Sequence, residues 1–201
     1  KNIEIQHLLY DSRRLNFIDN TLFFAFKTTN NDGHKYIKEL YNKGIRLFIC
    51  EELQDLNQFP DAVFLLVKNS LEALQKIAKY KRDNFHKEVV AITGSNGKTI
   101  VKEWIVQLAQ ENKKICYSPR SYNSQIGVAL SLWQLNSNYD LGLFEAGISK
   151  PNEMTRLQEM IQPTIGIFTN IGLAHQINFK TIEEKIEEKL KLFTSCHTLI
   201  C

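Results

Sequence analysis

This sequence has no long apolar run, no surplus of one charge and no paired cysteines. No stretch approaches the ~18 apolar residues of a membrane-spanning helix, and the opening KNIEIQHLLYDSRR lacks the pattern of a signal peptide. The net charge of +3, from 25 basic and 22 acidic residues, gives no reason to expect nucleic acid or a membrane surface as partner. The cysteines (Cys50, Cys116, Cys196 and Cys201) form no CxxC motif, and three of them lie in or beside apolar strand-like runs. They read as buried reduced thiols, which implies a cytoplasmic protein. Neither internal repeats nor low-complexity segments occur. What remains is an ordinary globular composition, 43% hydrophobic and 23% charged, on 201 residues. That length holds one large domain or two small ones, either with a real core.

Strand-like and helix-like runs alternate almost throughout. Residues 20–26 (NTLFFAF) and 45–50 (IRLFIC) flank a helical stretch at 34–42, and 62–67 (AVFLLV) leads into an amphipathic helix with Leu71, Leu74, Ile77 and Ala78 on one face. The charged stretch 79–87 (KYKRDNFHK) is the best linker, which places a boundary near residue 85 and domains at 1–84 and 85–201. The second half restarts with a buried-type strand at 89–93, a turn and a helix at 98–112. Strands are expected at 114–118, 141–145 and 164–170, with helices at 152–161 and 181–193. This alternation predicts an α/β fold with parallel sheets and helices on both faces. A new strand begins at Thr198 and the sequence stops at Cys201, as expected for a fragment of something longer.

The sharpest local signal is AITGSNGKT at 91–99, set between a strand and a helix. Backbone amides of a glycine-rich turn can wrap a phosphate where side chains do not block the approach, and the helix behind directs its positive end at the same anion. Lys98 can reach the outer phosphates and Thr99 offers a hydroxyl to Mg²⁺. The spacing is the short GxxGKT form, because Ile92 stands where the longer motif has its first glycine. Apart from a chance GKT in an ordinary turn, the reading is ATP binding through Gly94, Ser95, Asn96, Gly97, Lys98 and Thr99.

The loop TGSNGKT resembles that of the Mur ligases and of their relatives, the folylpolyglutamate synthases. Further blocks follow in the order of that family: YNSQIG at 122–127, FEAG at 144–147 and PTIGIFTNIGLAH at 163–175. In the first half DSR (11–13), LFFA (22–25) and DGH (32–34) resemble the N-terminal, UDP-binding domains of the last two ligases of the series. NSQIG and EAGISKPNEM lean toward the branch that joins D-alanyl-D-alanine to UDP-N-acetylmuramoyl-tripeptide. Chains of this wording are in some bacteria fused to an alanine racemase. The sequence departs from the family pattern at Lys27-Thr28-Thr29, Ser124 and Ala129.

The resemblance implies a small N-terminal α/β domain for the UDP-sugar, then an incomplete P-loop ATPase domain, with the part presenting the dipeptide absent and the fragment alone inactive. It implies an ATP- and Mg²⁺-dependent amide ligase acting through an acyl phosphate. Glu145, at a strand end, and His175 would hold metal. Lys189 occupies the position of a family lysine that in several members carries a carbamate, an anionic metal ligand. The residues alone read Lys185 and Lys189 as the rim of an amphipathic helix whose core face is Ile182, Ile186, Leu190 and Phe193. Asn123 is assigned near the phosphates, and Ser12, Arg13, Asp32, Gly33 and His34 to UDP, although DGH alone is also an ordinary turn. The competing readings are the sister ligase that adds the third residue of the peptide, a folylpolyglutamate synthase, and a non-catalytic nucleotide-binding module.

Overall fold

The computed structural model describes residues 3–29, 31–172 and 178–201. They form two compact units, Lys1–Leu74 and Gln75–Cys201. The first holds four parallel strands in chain order, β1 (His7–Leu9), β2 (Thr21–Phe24), β3 (Leu47–Cys50) and β4 (Val63–Leu66). Phe23 and Phe24 are both buried although they point to opposite faces, as expected of an interior parallel strand. Helix α1 (Ile37–Asn42) lays Ile37 and Leu40, one turn apart, on a core of Leu9, Phe23, Ala25, Ile45, Phe48, Cys50 and Phe59.

The second unit alternates strictly: β5 (Val89–Thr93), α3 (Lys98–Ala109), β6 (Ile115–Tyr117), α4 (Gln125–Leu132), β7 (Leu141–Glu145), α5 (Glu153–Ile161), β8 (Ile165–Phe168), α6 (Ile182–Leu190) and β9 (Thr198–Ile200). All five strands are parallel, in the order β6-β7-β5-β8-β9. The α/β class and the parallel pairing agree with the sequence reading. β5 is central and buried at every residue. The chain leaves β5 for the edge strand β6, returns to β7 beside β5 and then continues on the other side through β8 and β9. The carboxyl end of β5 is therefore a topological switch point, where such sheets open a crevice for ligands. Within this frame Ser124 caps α4 by accepting from Gly127 N at 3.2 Å, and Ala129 packs fully buried in the same helix.

Two expectations change. The charged stretch at 79–87 is no free linker at its start, because α2 (Ser70–Asp83) runs through it and the two compact units divide inside that helix. Arg82 is buried, and its guanidinium donates at 2.7 Å to the carbonyls of Ile161, Gln162 and Phe85. The first two belong to the end of α5, whose last carbonyls need donors. A run of charges does not disclose that one of them caps a distant helix.

The second change concerns α6, where Ile182 and Leu190 turn outward and two lysines turn inward, while Phe193 just beyond the helix is buried as expected. Ile182 and Leu190 are 37% and 41% exposed, whereas Lys185 and Lys189 are 1% and 3% exposed and Glu188 is buried with them. Glu188 accepts from Met154 N at 3.1 Å and from Lys191 Nζ at 2.6 Å. The helix turns its lysines inward because the loops facing it present backbone carbonyls. Cys50 and Cys116 are buried free thiols, and burial pushes Cys116 up to about 12. Among the described residues no helix is long and apolar enough to cross a membrane.

Candidate active site

The glycine loop leaves β5 at Gly94, whose φ of +148° is closed to L side chains. A Cβ there would also lie 2.0 Å from Thr169 Oγ1 and 3.0 Å from Asn170 N. The loop is therefore pressed against the end of β8. Ser95 N donates to Asn170 O at 2.9 Å and Asn96 N to Asn170 Oδ1 at 3.0 Å. Thr169 Oγ1 donates to Asn96 O at 2.6 Å, and Ser95 Oγ accepts from Gly172 N at 2.9 Å. Gly97, at φ +80°, then turns the chain into α3, aiming that helix's first amides at the loop's mouth. Gly94→Ala is accordingly expected to distort the loop: nucleotide affinity should drop by at least about tenfold, from strain and overlap together. Unchanged affinity by calorimetry would show that the loop does not need this close approach.

Two lysines meet on carbonyls of the glycine loop, and a third binds the segment after β8 that packs on it. Lys98 Nζ donates to Gly94 O at 2.8 Å and Ser95 O at 3.3 Å, Lys189 Nζ to Gly94 O at 3.2 Å, and Lys185 Nζ to Gly172 O. Burial, then the charges of Lys98 and Lys185, bring Lys189 down to about 8. Burial also lowers Lys98, which Glu145 counteracts and Lys185 reinforces. Such crowding of cations is unfavourable without an anion, and the cluster therefore points to a phosphate-rich ligand.

Glu145 ends β7 beside β5 and is fully buried. Its Oε2 accepts from Thr99 Oγ1 at 3.0 Å, while Oε1 is buried without a hydrogen-bond partner. A carboxylate and a hydroxyl side by side, with one carboxylate oxygen unused, fit Mg²⁺, which prefers hard oxygen ligands. Oε1 also lies 3.1 Å from Nζ of the fully buried Lys102. Gly147 N donates to Asn123 O at 2.8 Å, and a Cβ on Gly147 would meet Asn123 Cγ at 2.9 Å. Asn123 is thereby fixed two residues beyond Glu145. His175 lies outside the described residues.

The residues assigned to UDP gather at the carboxyl ends of β1, β2 and β3 in the first unit. Ser12 is buried in a 3-10 turn (Ser12–Arg14) capped by Asp11. Arg13 is 87% exposed and forms a two-pronged pair with Asp11 at 2.8 Å for each bond, which holds the Asp11 carboxyl below its usual range. Asp32 Oδ1 accepts from His34 N at 2.9 Å and from His34 Nδ1 at 2.6 Å, and His34 Nε2 accepts from Glu51 N at 2.9 Å. Both ring nitrogens of His34 are thus engaged, and the side chain ties the turn to the end of β3. Its ring is a brace for the DGH turn, while Gly33 seals that turn by donating to Phe26 O at 2.7 Å.

Sequence reasoning missed Lys102, Lys185, Thr169 and Asn170 as members of the second-unit site. TNIG contains the last two, and their role at the loop could have been suspected from a strand end. Nothing local to VKEW or EEKIEEK distinguishes Lys102 and Lys185 from solvated lysines.

The second unit is by its fold and loop a phosphate-loop domain of the doubly wound α/β class. The Mur ligase middle domain family matches residues 92–200, and the Mur ligase family catalytic domain matches residues 4–82. The chain belongs to the Mur ligase family. It is 34% identical to a UDP-N-acetylmuramoyl-tripeptide–D-alanyl-D-alanine ligase of Borreliella burgdorferi, over 96% of this chain and 44% of that protein. A protein of the same name from Rickettsia prowazekii is 36% identical over 86% of this chain and 38% of its own length. The fold superimposes on MurF from Acinetobacter baumannii with a TM-score of 0.87 at 24% identity, covering 96% of this chain and 41% of the other. For the MurF ligase of Thermotoga maritima in complex with ADP the TM-score is 0.84 at 27% identity, over 98% of this chain and 45% of the other. The chain thus spans less than half the length of these relatives.

Proposed function

We propose that this chain is part of an ATP-dependent amide ligase of cell-wall precursor synthesis, which joins D-alanyl-D-alanine to UDP-N-acetylmuramoyl-tripeptide. The observation that carries the reading is that Lys98 and Lys189 meet on Gly94 O of the glycine loop, with Lys185 on Gly172 O beside it and Glu145 bound to Thr99 where the loop enters α3. A degenerate nucleotide-binding module would have no use for a buried Glu145 facing Thr99, and the named relatives in Borreliella and Rickettsia carry this specificity. A diaminopimelate-adding sister ligase resembles the fold less, with a TM-score of 0.58.

An amide forms from a carboxylate only after one of its oxygens becomes a leaving group, and transfer of the ATP γ-phosphoryl, giving an acyl phosphate, achieves that. Such a transfer needs positioning and charge neutralisation more than covalent help. In this reading the amides at the start of α3 hold the phosphates, and Lys98 leaves the loop carbonyls to follow the γ-phosphoryl. Thr99, Glu145, His175 and a carbamylated Lys189 would hold Mg²⁺, which neutralises charge developing on the phosphoryl oxygens. Asn123 steadies the segment after Glu145, close to the nucleotide or substrate phosphates. In the first unit Ser12, Arg13, Asp32, Gly33 and His34 form the edge that receives the UDP end, with Arg13 free to exchange Asp11 for a diphosphate. We assign the first unit to that substrate and the second to ATP, in a cytoplasmic enzyme.

The test is a coupled phosphate-release assay on the full-length protein. Phosphate should appear only when ATP, Mg²⁺, the UDP-muramoyl tripeptide and D-alanyl-D-alanine are all present. Equal turnover with the UDP-muramoyl dipeptide and a single amino acid would transfer the assignment to the sister ligase.

A further inference from the structure

Lys102 lies in the second turn of α3 and is fully buried, yet phosphate binding does not require a lysine there. Its ammonium donates to Ser118 O at 2.7 Å and to Arg120 O, and Glu103 Oε1 stands 2.9 Å away on the exposed side. These contacts fix Nζ against the loop that follows β6. Glu145 Oε1 is 3.1 Å from it, but outside hydrogen-bond geometry, so this oxygen feels the charge while its lone pairs remain unused. A fully buried carboxylate requires a compensating charge, and among the described residues Lys102 is its ion-pair partner. Thr99 binds the other oxygen, which orients the carboxylate without neutralising it.

We infer that Lys102 is the built-in counter-charge of Glu145, a positioning residue that keeps this carboxylate from taking a divalent cation until nucleotide phosphates arrive with one. The inference rests on the proposed role of Glu145 as a metal ligand. A fixed positive charge sharing a carboxylate with a divalent ion repels it strongly in a water-poor site. Two backbone carbonyls hold Lys102, so it cannot swing aside as an exposed lysine would. The negative charge of a nucleotide outweighs that repulsion, and the site then accepts cation and phosphates together. Its benefit to the protein is that free Mg²⁺ does not occupy the site ahead of the nucleotide.

The test is Mn²⁺ binding to the nucleotide-free full-length protein, by electron paramagnetic resonance, together with thermal unfolding at increasing Mn²⁺. The parent should show only millimolar affinity and no Mn²⁺-dependent rise in midpoint. Lys102→Met, which keeps most of the side-chain volume, should unfold earlier without metal, bind Mn²⁺ at least about tenfold more tightly, and recover part of its midpoint as Mn²⁺ is added. Lys102→Arg retains the charge and should behave as the parent does. Adding Glu145→Gln to Lys102→Met should abolish the recovery. A mere staple of the β6 loop would lose the same stability with or without Mn²⁺, and that result overturns the inference. So does a micromolar nucleotide-free Mn²⁺ site in the parent, a measurement that decides even if Lys102→Met does not fold. Glu145→Gln alone separates the two levels. If Mg²⁺-dependent ADP binding survives it, the metal role of Glu145 fails. If that binding is lost while Lys102→Met ignores Mn²⁺, only the counter-charge fails.

Discussion

Lys98→Ala in the full-length protein should lower the ligation rate by on the order of 10³-fold while leaving the fold intact. Without ligand, Lys98 Nζ is folded back onto Gly94 O and Ser95 O, so the side chain is stored in the loop rather than buried in a core. Its removal leaves Gly94 O still accepting from Lys189, and the midpoint of unfolding should hardly change. Catalysis is different, because charge grows on the transferring phosphoryl and Lys98 is the loop's own cation for it. A donor aimed at developing charge in a water-poor site acts on the transition state more than on the bound nucleotide. ADP affinity should therefore fall far less than turnover. Near-normal turnover of Lys98→Ala would remove the loop from the reaction.

Lys189→Met should have opposite effects on activity and stability. Ligation should fall on the order of 10²–10³-fold, as expected for an oxygen ligand lost near the phosphoryl group once Lys189 carries its carbamate. Stability at pH 7 should rise by roughly 2–3 kcal/mol, because a buried ammonium beside two others is replaced by an apolar chain of similar length. The folded protein holds Lys189 at about 8, against 10.5 in the unfolded chain. Below about pH 8 both states carry the proton and the destabilisation is complete. Between there and 10.5 only the unfolded chain keeps it, so the parent gains stability as pH rises and the advantage of the variant fades. Lys185→Met should move stability the other way, by roughly 1–3 kcal/mol, since it loses a buried, charge-assisted hydrogen bond to Gly172 O. Denaturant unfolding of both variants at pH 7 and pH 10 checks this. Equal, mild effects for the two lysines on activity and stability alike would sink it.

The inward turn of α6 marks where sequence reading gives out. The spacing of Ile182, Ile186, Leu190 and Phe193 is a sound amphipathic signal, and it located the helix to within a few residues. It placed Phe193 correctly but misjudged Ile182 and Leu190, because apolar periodicity assumes that the whole helix faces an apolar core. Here Lys185 and Lys189 meet the carbonyls of Gly172 and Gly94, and backbone acceptors in place of an apolar core reverse the usual preference. The residues at 79–83 failed for a related reason. Composition averages over a stretch, whereas Arg82 is defined by three carbonyls, two of them some eighty positions away in the chain.

By itself the sequence determined most of the local events: the strands and helices other than β1 and the end of α2, the parallel pairing of the strands, and a glycine turn, GSNGKT, that joins β5 to α3. Each of these follows from periodicity, from glycine placement or from the lengths of the connections, all of which are short-range properties. Only the tertiary structure decided which side chains share the site. The order β6-β7-β5-β8-β9 brings Glu145 and Asn170 to either side of one loop, and long-range contacts sank Lys102 beneath Glu145 and turned Lys185 and Lys189 inward. Burial of a charge depends on partners dozens of residues away, and no local pattern in the chain encodes those partners.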